Sequence, residues 1–280
     1  MRLFAISDLH LGHQANRAAL PDLPDHAGDW LIVAGDIAEQ LELQEAAFRV
    51  LTDRFARVIW VPGNHDLWSV PRDGASSPRG VARYRDLVDM ARGHGIVTPE
   101  DPFPVWPDPP HVIAPLFLLY DYSFRPAHVP RSEVRRWAGA AACADEFFLQ
   151  PDPYPSREAW CEALCTTAER RLADLPAGTR TILVNHWPLL AELIRIPRIP
   201  RFRPWCGTIR TADWHRRFRA SVVVSGHLHT RRTDVVDGCR FEEVSLGYPG
   251  QWRPERGIAA YLRPIFGPAG PVSRARRDAP

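Results

Sequence analysis

The chain has 280 residues, 45% of them hydrophobic and 24% charged, with a net charge of +2. That is long enough to bury one large α/β core or two ordinary ones, and too balanced in charge to argue for a nucleic-acid or membrane-surface protein. No apolar stretch approaches a membrane span, and a secretory leader is excluded by position, since its cleavage would remove Asp8 and His10. All 35 basic residues are arginine, which reads as the codon usage of a GC-rich genome. Five cysteines (Cys143, Cys161, Cys165, Cys206, Cys239) at irregular spacing read as reduced thiols in a cytoplasmic protein.

In chain order, Leu3 to Ile6 is a short apolar run ending in Ser7-Asp8-Leu9-His10, and Trp30 to Ala34 is a second, ending in Gly35-Asp36. Val58 to Val61 runs through Pro62 into Gly63-Asn64-His65-Asp66. Thr181 to Val184 ends in Asn185-His186, and Ser221 to Val224 in Ser225-Gly226-His227-Leu228-His229. Each run has the length and β-branched content of a buried strand. Leu43, Ala47, Val50 and Leu51 mark a helix between the second and third, a βαβ pattern that makes those strands parallel with their C-terminal ends together. Ligand sites in open α/β sheets lie at that edge.

The long interval from Asn64 to His186 is less regular. The proline-rich residues 71–80 and 99–110 read as loops, Ile113 to Tyr120 as a strand, and Ser156 to Leu175 as the second of two helices. Arg240 to Leu246 and Gly257 to Leu262 read as closing strands. From Pro264 onward the chain reads as a disordered tail. The catalytic domain is therefore expected over residues 1–263, with 71–110, 121–176 and 190–220 as insertions or cap elements.

Asp8, His10, Asp36, Asn64, His186, His227 and His229 are seven oxygen or nitrogen donors, all just past strand ends. Packed together without a cation they would bury two carboxylates at high cost, and a dication supplies the missing partner. Two metals suit the donor count better than one. Carboxylate, imidazole and amide oxygen without thiolate point to manganese, iron or zinc. Each block alone is a weak signal; the conjunction of five is what carries weight.

The ordered set Asp-x-His, Gly-Asp, Gly-Asn-His-Asp, His and Gly-His-x-His resembles the calcineurin-like metallophosphoesterase superfamily, from Asp8 to His229. The resemblance implies a four-layer α/β/β/α sandwich of two mixed sheets flanked by helices, here with an inserted loop and helical cap. It implies a dinuclear centre: Asp8, His10 and His229 on one metal, Asn64, His186 and His227 on the other, Asp36 between them. The implied reaction is in-line attack on a phosphate ester by a hydroxide shared between the metals. His65, beside a ligand but not one itself, is expected to act as general acid.

A carboxylate should orient His65, and Glu39 and Asp66 are the two candidates. Glu39-Gln40 stands where the protein Ser/Thr phosphatases of this superfamily carry aspartate and arginine, which counts against that substrate class. His65 stands where the similar UDP-diacylglucosamine pyrophosphatases carry arginine.

Eight arginines (Arg195, Arg198, Arg201, Arg203, Arg210, Arg216, Arg217, Arg219) lie between His186 and His227, interleaved with aromatics. Arg195, Arg198, Arg201 and Arg203, with Tyr120 and His13, are the candidate substrate contacts, weighed against a solvated face and ordinary core. The expected partner is a small or nucleotide-like phosphate monoester or diester. The competing readings are a nuclease acting on DNA or RNA, and a metal-binding scaffold without catalysis.

Overall fold

Alternation along the short strands decides the architecture. In β1 (Leu3–Ile6), Leu3 and Ala5 join one buried cluster while Phe4 and Ile6 join another. The same division recurs in β2 (His26–Ala34) and β3 (Phe55–Val61). There Ile32, Ala34, Ile59 and Val61 face one way and Leu31, Val33, Val58 and Trp60 the other. A strand buried on both faces belongs to a sheet covered on both faces. The computed structural model describes residues 1–69 and 78–267, so most of the loop expected over 71–80 and of the tail expected over 264–280 lies outside the described residues.

Two sheets stack face to face. The first has the order β10-β1-β2-β3, in which β10 (Arg263–Phe266) runs antiparallel to β1 and the other three are parallel. The second comprises β4 (Val105–Pro107), β5 (Pro110–Pro115), β6 (Thr181–Val184), β7 (Ala220–Ser225), β8 (Thr233–Val236) and β9 (Cys239–Glu243), in the order β4-β5-β6-β7-β9-β8. Its four central strands are parallel and its edges antiparallel. Leu3, Ala5, Ile32 and Ile59 meet Ile113, Ile182, Val222 and Val244 in the layer between the sheets. A seam joins them at the site end, where Ser7 N donates to Val244 O and Leu246 N to Ser7 O. The two mixed sheets flanked by helices are the sandwich expected from the sequence.

Helices cover the outer faces. After the short α1 (Gln14–Ala19), α2 (Leu41–Arg54) buries Ala47, Phe48 and Leu51. Past the single-turn α3 (Asn64–Leu67), α4 (Gly80–Gly93) buries Tyr84, Leu87, Val88 and Ala91, an i, i+3, i+4, i+7 stripe that the sequence reading leaves unmarked. The region between β5 and β7 carries α5 (Val134–Ala138), α6 (Asp145–Phe148), α7 (Arg157–Ala173) and α8 (Trp214–Arg217), with 3₁₀ turns that include Pro200–Trp205. Helix α7 starts at Ser156, whose hydroxyl accepts from Ala159 N.

Four expectations are corrected. The strand expected over Ile113 to Tyr120 stops at Pro115, because its partner β6 ends at Val184; beyond it, Leu118 N donates to the Asn185 side chain instead. Ile258–Tyr261 is a 3₁₀ turn and not a strand. The last strand begins where the tail was expected: Pro264, Ile265 and Phe266 lie in β10, and Ile265 is buried between the sheets. Residues 99–110, expected as loop, contain β4 and the start of β5.

Candidate metal centre

The parallel strands deliver their C-terminal ends to one edge, and all seven donors converge there. Donor atoms of Asp8, His10 and His229 lie within 4.8 Å of one another, as do those of Asp36, His186 and His227. Asp36 also groups with His10 and His65, so it stands between the two sets. Six of the seven donors are buried and His229 is half-buried.

Local geometry explains the glycines. A Cβ on Gly63 would sit 2.1 Å from Asp36 Oδ1, and one on Gly226 would sit 2.3 Å from Asp8 Oδ2. Gly35 has φ +86°, and a Cβ there would lie 2.7 Å from His186 Nδ1. These strand ends close on the carboxylates only because no side chain intervenes. Five donors are themselves in the left-handed region: Asp8, His10, Asp36, His227 and His229, with φ between 44° and 71°. They are five of nine such non-glycine residues among those described, so strain concentrates where the donors are.

Four of the donors are aimed by a second contact. His186 Nδ1 donates to Ala34 O at 2.8 Å, which leaves the Nε2 lone pair facing Asn64 Oδ1 at 3.2 Å and Asp36 Oδ2 at 3.3 Å. Asn64 Nδ2 donates to Asp145 Oδ1 at 2.9 Å, which turns its amide oxygen inward to within 3.1 Å of His227 Nδ1. Asp8 Oδ2 accepts from the hydroxyls of Ser7 and Ser245 and from His227 N, leaving Oδ1 for His229 Nε2 at 2.9 Å. His229 Nδ1 is held by Gln251 Oε1 at 2.8 Å. Such outer contacts fix the ring and the tautomer of metal-ligating side chains. Asn64 Oδ1, His186 Nε2 and Asp36 Oδ2 are all acceptors facing one another, and such a set fits a cation at its centre.

The carboxylates hold protons on two of the rings in place of a cation, protons that a metal ion would displace. Burial raises the Asp8 and Asp36 carboxyls, but the neighbouring imidazoles outweigh it and hold both below the usual carboxylate range. Burial lowers the His186 and His229 imidazoles, yet Asp36 lifts the first to about 10 and Asp8 the second to about 9. For His10 and His227 burial prevails, and both fall to about 3.

His65 stands on α3 at the mouth. Its Nδ1 meets Glu39 Oε1 at 2.7 Å, its ring stacks on Trp68 at 3.8 Å, and its Nε2 lies 3.4 Å from the Tyr248 hydroxyl. Burial lowers its pKa, but Asp36 and then Glu39 reverse the sign and raise it. Of the two carboxylates expected to orient this ring, Glu39 makes the contact. Asp66 is spent elsewhere: its oxygens accept from Asp36 N, Ile37 N, Ala38 N and Gly63 N, a cradle for the loop that carries Asp36.

The expected substrate contacts fare worse. Tyr120 is fully buried against Tyr122 and Trp187, a core residue whose hydroxyl finds no partner. Arg201 and Arg203 donate to the carbonyls of Trp137 and Ala191, Arg195 approaches Asp234, and Arg198 is exposed. None of the four lines the cleft over the donors, because the 3₁₀ turn directs Ile199 and Phe202 inward instead. His13 is exposed, its ring 5.4 Å from that of Tyr248.

The cleft has a volume of about 290 Å³, with walls that include Trp68, Cys143, Ile199, Phe202, Leu228 and Tyr248. Asp145, Tyr248 and Gln251 are contacts that the sequence reading missed; Asp145 opens a single-turn helix and the other two lie in an irregular segment, all without a motif.

Residues 1–231 match the calcineurin-like phosphoesterase family. The chain is 49% identical over 274 residues to an [acyl-carrier-protein] phosphodiesterase, PptH, of Mycobacterium tuberculosis, covering 94% of this chain and 83% of the relative. It is also similar to the crystal structure of phosphopantetheinyl hydrolase (PptH) from that organism. The two superimpose with a TM-score of 0.87 at 46% identity, over 96% of this chain and 98% of the other.

Proposed function

The chain belongs to the calcineurin-like phosphoesterase family and is a phosphoric ester hydrolase, and from that premise we propose that it cleaves the phosphodiester joining a phosphopantetheine arm to the serine of an acyl carrier protein. The likeness to PptH over nearly the whole chain supports this choice of substrate. The observation that carries it is the cleft: donors at its floor, and walls of Trp68, Ile199, Phe202 and Leu228. One phosphate followed by a long uncharged arm suits such a lining; a polyphosphate would call for inward-facing arginines. The partner thus moves from the small molecule expected from the sequence to an arm carried on a protein. We place residues 1–266 in the catalytic domain, since β10 pairs with β1.

In this reading Asp8, His10 and His229 would hold one metal ion and Asn64, His186 and His227 a second, with Asp36 within reach of both sets. Such ions supply Lewis acidity, neutralising phosphoryl oxygens and lowering the pKa of water. The chain's own residues do the rest. As a water oxygen bonds to phosphorus and the P–O bond to serine breaks, His65 donates its Nε2 proton to the departing serine oxygen. The carrier leaves as an alcohol and the phosphate, now a monoester, stays on the pantetheine. Glu39 keeps the ring oriented and favours its charged form. Trp68 holds one face of the ring, and the Tyr248 hydroxyl stands where the proton is passed. Phe202, stacked over His227 at 5.4 Å, shields the floor from water.

The test is to incubate the protein and manganese with a holo acyl carrier protein and follow intact masses. Conversion to the apo carrier with release of phosphopantetheine, absent in Asp36→Ala, is the expected result. Hydrolysis of bis-p-nitrophenyl phosphate with no conversion of the carrier would overturn the substrate assignment. The nuclease reading is disfavoured, because four of the five rings interleaved with the arginines, Trp187, Trp205, Trp214 and Phe218, are buried and offer no face to a base.

A further inference from the structure

The arginine-rich stretch is left over once the cleft is described. Ile199 and Phe202 form part of its wall, and Arg198 and Arg201 flank them in the chain. Arg201 reaches α5, donating to Trp137 O at 2.9 Å with its guanidinium 5.4 Å from the Trp137 ring. Helix α5 presents Arg135 and leads through residues 139–141 to Ala142, Cys143 and Ala144, which line the same cleft. Two adjoining segments of the wall therefore carry arginines on their outer side.

Little neutralises these charges. Arg198 has no ion pair or hydrogen bond among the described residues. Among the same residues Arg201 has only a backbone carbonyl and an indole face, and Arg135 only the ring of Phe147, at 4.6 Å. Between Arg198 and Arg201 lies Ile199, 46% exposed. An apolar contact beside unneutralised guanidinium groups is the composition of a protein-binding surface.

The chemistry puts the partner there. In a serine-linked phosphodiester only Oγ and Cβ separate the carrier's main chain from phosphorus, so the carrier's own surface must rest on the rim of the cleft. We propose that Arg135, Arg198 and Arg201, with Ile199, form the docking face for the carrier protein, and that the carrier presents acidic side chains beside its modified serine. This inference rests on the carrier-protein phosphodiesterase reading above.

The test compares wild type with Arg135→Glu/Arg198→Glu/Arg201→Glu on two substrates: a holo carrier protein with acidic residues flanking its serine, and bis-p-nitrophenyl phosphate. Rim charges act mainly on encounter, so kcat/KM for the carrier should fall by about 10-fold or more and lose its salt dependence. Hydrolysis of the small diester should be unchanged. Arg198→Glu alone, at a residue with no contact to lose, should shift the carrier reaction in the same direction. Reversing the carrier's acidic residues to lysine should restore part of the loss. Equal rates on the carrier, or equal losses on both substrates, would overturn the docking face, as would a single-stranded oligonucleotide held by the same arginines. A wild type that cleaves the small diester but not the carrier overturns the substrate reading itself, a result distinct from these.

Discussion

Asp66→Ala should cost the fold more than any other polar substitution near the site. The carboxylate accepts from four backbone N–H groups, three at 2.8–3.0 Å and one at 3.3 Å. Hydrogen bonds to a charged group contribute about 1.5–3 kcal/mol each, so the three short ones sum to about 5–9 kcal/mol. Against that, alanine also removes a fully buried carboxyl, which burial and Asp36 push up to about 7. Each buried N–H left without its acceptor costs about 1–3 kcal/mol, offset in part by the lost burial of the carboxyl, for a net loss of about 3–5 kcal/mol. That is a large share of an ordinary total of about 5–15 kcal/mol. Urea unfolding, followed by the fluorescence of the ten tryptophans, reads the difference. With chelator present it reports the cradle alone. With excess manganese the gap should widen, because a displaced Asp36 also forfeits the stabilisation that a bound ligand brings. Asp66→Asn, which keeps one acceptor oxygen, should lose about half as much. A loss below about 1 kcal/mol for Asp66→Ala in chelator would refute the cradle.

Three other outcomes follow from the geometry. Asp145→Ala frees the Asn64 amide to turn, and metal affinity measured by calorimetry should fall by about 10–100-fold, while Asp145→Asn keeps most of it. Gly63→Ala drives a Cβ into Asp36, at 2.1 Å from Oδ1, and should abolish metal retention and lower the melting temperature; Gly28→Ala, with nothing within 4 Å, should do neither. His65→Asn should slow release of the poor serine leaving group by about 10²–10⁴-fold and p-nitrophenolate far less; equal slowing of both would remove His65 as the proton donor.

The donors were legible because their signal is local. Five of them follow a strand buried on both faces by no more than three residues, Asp36, Asn64 and His227 directly after a glycine and Asp8 and His186 without one. What aims the donors was not legible. Asp145 lies 81 residues from Asn64, on a four-residue helix with no periodicity of its own. Tyr248 and Gln251 follow β9 in an irregular segment. The arginines illustrate the opposite failure: composition announced a positive stretch, but only the 3₁₀ turn at Pro200–Trp205 decides that Ile199 and Phe202 face the cleft. Likewise, proline and glycine after residue 263 suggested disorder, while Ile265 is buried opposite β1.

The pairing of β10 with β1 has a consequence for how the chain is made. Strands β1, β2 and β3 leave the ribosome within the first 61 residues, but the partner for the free edge of β1 begins at Arg263. Throughout the synthesis of the intervening chain, Leu3-Phe4-Ala5-Ile6 is an apolar strand with an open row of N–H and C=O groups, the kind of edge on which another chain can pair. His229, the companion of Asp8 and His10, arrives almost as late. A nascent chain arrested before residue 263 thus has neither a closed first sheet nor a finished register against which to set its donors, so chaperone demand and metal loading both turn on the synthesis of β10.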